Sequence, residues 1–224
     1  MYKYILFDLD GTLTDPKEGI TGCVRYALPF LGIDAPPADD LLDFIGPPLV
    51  DSFIRRFGMT QENAEFALQK YRERFSTVGM FENRVYDGVP EMLCQLKNAG
   101  CTLAVASLKP LVFVEKILEK FSLINYFSVI AGSDLEGKKH TKKQIIDDVL
   151  SELTPISKSD ILMVGDRYQD IEGAKQSGIA SMGVTYGYAS PGELENAGAD
   201  YICNSPREIS KILLCNNNII DIQN

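Results

Sequence analysis

An α/β fold on a mostly parallel sheet, interrupted by an α-helical insertion, is what this sequence predicts, on three observations. Short apolar runs at Tyr4–Phe7, Thr102–Ala106, Ile161–Val164 and Ala180–Val184 have the near-continuous hydrophobicity of strands buried on both faces. From about residue 82 these runs alternate with stretches of helical period, the pattern of βαβ units. Between the first run and residue 82 the periodicity is helical alone. Residues 1–15 and 82–224 are therefore expected to form one core, and residues 16–81 a separate helical domain.

The first strand, Tyr4-Ile5-Leu6-Phe7, runs into Asp8-Leu9-Asp10-Gly11-Thr12-Leu13-Thr14-Asp15. Two carboxylates one residue apart at the mouth of a buried strand repel each other, and a cation or a reaction would justify holding both there. Gly11 lets the backbone approach a ligand, and Thr12 adds a hydroxyl donor. Pro16 fits the start of a helix capped by Asp15, with Ile20, Val24, Leu28 and Leu31 on one face and Gly32 as the stop. Segments 38–45, 48–57 and 61–77 also read as helices, with the stiff turn Gly46-Pro47-Pro48 between the first two.

After 82, Pro90 opens a helix ending at Gly100, and the strand Thr102–Ser107 delivers a hydroxyl to the helix begun by Pro110. Free N–H groups at that helix start would favour an anion. Lys109, in Ser107-Leu108-Lys109-Pro110, either adds positive charge there or is solvated. Phe127–Ile130 reads as the next strand. It precedes Gly137-Lys138-Lys139-His140-Thr141-Lys142-Lys143, a lysine cluster at a helix start that opposes the dipole by about 0.3–1 kcal/mol unless an anion offsets it. His140, the one histidine, reads as a loop residue. The strand Ile161–Val164 then ends in Gly165-Asp166-Arg167-Tyr168-Gln169-Asp170, acids again placed at a strand's carboxyl end, with Asp170 also suited to cap the following helix. A strand at 180–184, a short helix at 192–197, a strand at 201–203 and a helix at 207–214 complete the core; the tail from Asn216 is uninformative.

Composition narrows the function. A net charge of −9 argues against a nucleic-acid partner, since such binding rests on a basic surface. The same charge means that any phosphate site must be made positive locally. Five cysteines (Cys23, Cys94, Cys101, Cys203, Cys215) without C-x-x-C spacing suggest neither a disulfide framework nor zinc, and fit a reducing cytoplasm. No apolar run approaches membrane-spanning length, and the first strand starts too early for a signal peptide.

Taken in order, Asp8-x-Asp10-x-Thr12, Ser107, Lys142 (or its neighbour Lys143) and Gly165-Asp166 with Asp170 resemble the four signatures of the haloacid dehalogenase superfamily. The resemblance runs from Tyr4 to about Leu214. It implies a Rossmann-like core with a helical cap inserted after the first strand, and a Mg²⁺-dependent phosphatase acting through an aspartyl phosphate. By that resemblance Asp8 is the nucleophile and Asp10 the general acid and base; Ser107 and Lys142 hold the phosphoryl group; Asp8, the Asp10 carbonyl and Asp166 hold Mg²⁺; Asp170 orients Lys142 or a metal-bound water. Gly11, Thr12, Leu108 and Lys109, with Gly46 and Arg72 of the cap, are the expected substrate contacts. Phe44–Leu49, Tyr71–Arg74, Phe81–Gly88 and Tyr186-Gly187-Tyr188 are similar to the phosphoglycolate phosphatase-like and 5′-nucleotidase branch, so the expected partner is a small phosphorylated metabolite and the expected state a monomer or weak dimer. A sugar-phosphate mutase of β-phosphoglucomutase type needs the same residues and stands as the alternative. A dehalogenase would leave Asp10 and the acidic fourth signature unexplained. A non-enzymatic regulatory protein on the scaffold would be expected to have lost a motif residue, and none is lost.

Overall fold

The computed structural model describes residues 2–135, 141–153 and 157–215. Lys138, Lys139, His140 and the tail from Asn216 lie outside them. The chain divides into two compact units, one made of residues up to Leu13 with those from Val85 onward, the other of Thr14–Arg84.

Strand β1 (Tyr4–Phe7) leads to the two-residue β2 (Thr14–Asp15) and then to α1 (Lys17–Ala27), α2 (Leu49–Phe57) and α3 (Gln61–Phe75). Strand β3 (Arg84–Val85) pairs with β2 where the chain passes back. Then follow α4 (Val89–Asn98), β4 (Thr102–Pro110), α5 (Leu111–Lys120), β5 (Val129–Ser133), α6 (Lys142–Glu152), β6 (Ile161–Gly165), α7 (Tyr168–Ser177), β7 (Ala180–Val184), α8 (Glu193–Ala197), β8 (Tyr201–Cys203) and α9 (Pro206–Cys215).

Six strands form one parallel sheet in the order β5-β4-β1-β6-β7-β8. The chain moves outward from β1 in one direction through β4 and β5, and in the other through β6, β7 and β8. The order thus reverses at β1, and in open α/β sheets the crevice beyond the carboxyl ends of such strands is where ligands bind. Both faces are buried. Leu6, Ala104, Ala106 and Met163 pack with Ile145, Ile146 and Val149 of α6 and Ala174 of α7. The alternating Ile5, Phe7, Leu103, Val105, Leu162 and Val164 are at most 1% exposed on the other face, which is why these strands read as unbroken apolar runs.

The helical unit has its own core, in which Phe44 meets Phe53 edge-on at 5.0 Å and Tyr71 stacks on Phe75 at 5.2 Å. Arg74 forks onto Glu82 at 2.7 and 2.8 Å, and Arg84 onto Asp15 at 3.0 and 2.7 Å.

Several boundaries differ from expectation. Pro29 cannot continue an α-helical ladder, so α1 stops at Ala27 and residues Leu28–Leu31 tighten into a 3₁₀ turn ended by Gly32 at φ 70°. Helix α1 begins at Lys17, one residue later than Pro16, although the Asp15 carboxylate still accepts the Lys17 N–H at 3.1 Å. The expected helix 38–45 is a 3₁₀ helix, Ala38–Phe44, confined between Pro37 and Gly46-Pro47. A 3₁₀ turn at Ile124–Tyr126 delays the third core strand, so it covers Val129–Ser133 and not 127–130. Asp170 caps α7 from inside the helix and not as its N-cap: it is the third residue, and its carboxylate accepts the N-cap Arg167 N–H at 3.1 Å.

Candidate active site

Every motif residue of the core unit arrives at the strand ends that flank the reversal point. Phe7 is level with Val105 of β4 and Val164 of β6, and the Asp8 N–H continues the ladder onto the Val164 carbonyl at 2.9 Å. Asp8, Ser107 and Asp166 therefore emerge side by side from the three central strands. Leu13 N–H closes a turn onto the Leu9 carbonyl at 2.9 Å, which brings Asp10 back over the sheet end. All of these side chains are buried: Asp8, Asp10, Thr12, Ser107, Lys142, Asp166 and Asp170 are each at most 8% exposed.

Thr141 caps α6 and Gln144 reciprocates, so the helix starts at Lys142, which points inward beside Gly173 of α7. Its ammonium group donates to Asp8 Oδ1 at 2.7 Å and to the Ala106 carbonyl at 2.9 Å, and lies 2.6 Å from Asp170 Oδ1. The ammonium group thus makes two hydrogen bonds and an ion pair. Burial alone would lower the lysine's pKa, but Asp170 and Asp8 outweigh it and hold it raised. Lys143 instead pairs along the helix surface with Asp147.

Asp10 is paired through Oδ2 with Lys109, both nearly buried, while its Oδ1 is buried with no hydrogen-bond partner among the described residues. Burial pushes this carboxyl above the usual carboxylate range, against the pull of Lys109. The Ser107 hydroxyl accepts the Lys109 N–H at 3.3 Å, where the register of β4 against β5 becomes irregular between Ser107 and Pro110. Gly11, at φ 85°, sits where a Cβ would lie 2.1 Å from Asp166 Oδ2, so only glycine lets the backbone pass so close to that carboxylate.

Asp8, Asp166 and Asp170 each offer an oxygen within 4.8 Å of the others. Three carboxylates there face one ammonium, Lys142, while Lys109 balances Asp10. The excess of two negative charges fits a divalent cation, and the all-oxygen donor set suits a hard one such as Mg²⁺. Burial and crowding of these acids also favour the protonated forms of two of them. Burial, with Asp170 and Asp8 nearby, pushes Asp166 well above its ordinary value, and burial raises Asp170 to about 6 despite Lys142.

Sequence reasoning did not give a role to Tyr186 and Tyr188. Tyr188 N–H donates to Asp166 Oδ2 at 2.7 Å, and the Tyr186 hydroxyl donates to the Thr12 carbonyl at 2.9 Å. The local signal was present in the aromatic-glycine-aromatic triplet just after β7, but its targets are 22 and 174 residues away. Gly46 and Arg72 belong to the helical unit. Gly46 has φ 107°, and Arg72 is half-buried on α3 with burial lowering its guanidinium pKa.

A family model described as haloacid dehalogenase-like hydrolase matches residues 5–184. The chain is 43% identical over 212 residues to a 5′-nucleotidase of Pseudomonas aeruginosa, covering 95% of this chain and 96% of that one. It is 37% identical to the tyrosine-protein kinase PtkA of Mycobacterium tuberculosis over 83% of this chain and 63% of that one, and 31% identical to the phosphoglycolate phosphatase of Vibrio parahaemolyticus over 94% and 96%. The crystal structure of a predicted phosphatase from Clostridium acetobutylicum superimposes with a TM-score of 0.91 at 47% identity, covering 96% of this chain and 99% of that one. The chain belongs to the haloacid dehalogenase-like hydrolase family, as a phosphoric monoester hydrolase. No described helix is long and apolar enough to cross a membrane, and Cys23, Cys94, Cys101 and Cys203 are free thiols.

Proposed function

We propose that this protein is a Mg²⁺-dependent phosphatase that hydrolyses small phosphate monoesters through an aspartyl phosphate on Asp8, with nucleoside 5′-monophosphates as the first substrate class and phosphoglycolate as the second. The observation that carries the reading is the Asp8 carboxylate fixed by Lys142 at the reversal point of the sheet, with Asp10 two residues on and Asp166 alongside.

Asp8 attacks phosphorus in line as the ester P–O bond breaks, and Asp10 gives its proton to the departing alkoxide. A raised pKa suits that task, and Oδ1, which has no competing bond, is the oxygen that carries the proton. Asp10 then takes a proton from water as the water attacks the aspartyl phosphate, and Asp8 is regenerated. Ser107, Lys142 and the N–H groups of Gly11, Thr12 and Leu108 hold the transferring group, whose catalysis is mainly positioning and electrostatics. Lys109 keeps Asp10 in place and adds positive charge at the end of β4. Asp8, the Asp10 carbonyl and Asp166 would hold Mg²⁺, which when bound neutralises phosphoryl oxygens and the carboxylates around them.

A screen of nucleoside monophosphates, phosphoglycolate, sugar phosphates and phosphotyrosine should find release of phosphate from the first class above all. Excess chelator should abolish it, Mg²⁺ restore it, and Ca²⁺ inhibit because its looser coordination misplaces the nucleophile. Full turnover in chelator would contradict the cation requirement, and a phosphorylated sugar isomer in place of free phosphate would identify a mutase.

Substrate choice we assign to the helical unit, in particular to Gly46 and Arg72. Support comes from the chain's leaving the core at Thr14, directly after the Asp8–Thr12 loop, and re-entering it at Val85. Arg72→Ala should change the ratio of kcat/KM between a nucleotide and phosphoglycolate by about tenfold or more while leaving p-nitrophenyl phosphate within about threefold. An equal loss on every substrate would remove the assignment.

A further inference from the structure

We propose that Tyr186-Gly187-Tyr188 is a positioning element for Asp166, and that the Tyr186 hydroxyl helps set how tightly the protein binds its divalent cation. The inference rests on the reading of Asp8 and Asp166 as the cation site.

Strand β7 lies beside β6 with Gly183 level with Gly165, so the segment after β7 passes next to Asp166. There it meets that side chain from two sides. The Tyr188 N–H donates to Asp166 Oδ2 at 2.7 Å. The Thr12 hydroxyl makes a longer contact, 3.4 Å, to Oδ1, and the carbonyl of the same Thr12 accepts the Tyr186 hydroxyl at 2.9 Å. Tyr186, Thr12, Asp166 and Tyr188 thereby close a ring of contacts that ties the β7 segment to the loop bearing Asp8 and Asp10.

Gly187 completes the fit. A Cβ at that position would stand 2.4 Å from the Cβ and Oδ2 of Asp166 and 2.4 Å from the Gly11 carbonyl. Asp166 is wholly buried between the two glycines. A carboxylate rotates readily about its last torsion. Fixing it before the cation arrives removes an ordering cost from binding, and groups that orient metal ligands typically account for 10- to 100-fold in affinity. Tyr86 rests edge-on against the Tyr186 ring at 5.0 Å, which holds the phenol in line with its acceptor.

The test is Mn²⁺ binding to the full-length protein without substrate, followed by the loss of the free-ion electron paramagnetic resonance signal, for the parent, Tyr186→Phe and Gly187→Ala. Tyr186→Phe keeps the ring and removes only the donor, so it should fold, melt in chelator within a few degrees of the parent, and bind Mn²⁺ at least about tenfold more weakly. Gly187→Ala should lose more. Parent-like affinity in Tyr186→Phe, within twofold, would overturn the inference, as would a lowered melting temperature with unchanged affinity, the mark of a purely structural role. Absence of Mn²⁺ binding by the parent would overturn the cation reading itself, and this inference with it.

Discussion

Asp8→Asn will leave the protein folded and lower kcat by at least about a thousandfold on every phosphate ester, a barrier increase of about 4 kcal/mol or more. The amide nearly matches the carboxylate in shape, its oxygen can still accept from Lys142, and the lysine keeps its contacts to Asp170 and the Ala106 carbonyl. What disappears is the attacking charge. Steady-state assays on a nucleotide and on p-nitrophenyl phosphate, with a thermal melt as the control for folding, check this. Retention of more than a few per cent of parental activity with either substrate would mean that another group attacks phosphorus.

Lys142→Met will be the most destabilising of the site substitutions. It leaves Asp8 and Asp170 buried without their shared counter-charge, and removing one partner of a buried pair costs about 3–5 kcal/mol. The loss will also depend on pH. Asp170 is already raised to about 6, so its contribution to stability is complete below the ordinary carboxylate value and fades as pH rises through about 6. Without the lysine, the upward push of burial on Asp170 loses its main opposing charge. Lys142 itself, raised in the folded state, stays charged below its ordinary value and contributes evenly across neutral pH. Urea unfolding in chelator should therefore show a smaller deficit for the variant at pH 5 than at pH 8. A deficit independent of pH would mean that Lys142 acts through packing alone.

The strands that carry the motifs were legible because their signals are local: an apolar run followed at once by an acid or a hydroxyl. Asp8, Asp10, Ser107 and Asp166 fell at strand ends for that reason. Which of Lys142 and Lys143 points inward was not local. It is decided by where α6 begins, and the Thr141 cap places Lys142 against Gly173 while Lys143 turns to Asp147 on the surface. The two readings of Lys109 were likewise open until its partner, 99 residues away, was seen to be Asp10. Boundaries shifted where Pro29, Pro37 and Pro47 forced i→i+3 bonding within stretches whose hydrophobic spacing looks α-helical. Tyr186 and Tyr188 were the largest omission, since hydrogen bonds to Thr12 and Asp166 leave no periodic trace in sequence.

The covalent step on Asp8 can be observed directly by single-turnover hydrolysis in H₂¹⁸O, with enzyme in excess over a nucleoside monophosphate, followed by peptide mass spectrometry. Water attacking the phosphorus of the aspartyl phosphate would deliver ¹⁸O to the released phosphate and leave the Asp8 peptide unlabelled. The complementary experiment starts with ¹⁸O in the Asp8 carboxylate. With water attacking phosphorus, the P–O bond to the carboxylate oxygen breaks, so that label stays on Asp8 and none passes into the released phosphate; label in the phosphate would mean attack at the carboxyl carbon. The most direct single measurement is therefore rapid acid quenching during turnover and mapping of the phosphorylated residue. The account predicts a phosphoryl group on Asp8 that forms and decays at rates compatible with kcat and is missing from Asp8→Asn. Full turnover with no phosphorylated aspartate at any quench time, or a phosphoryl group on a different residue, would contradict it.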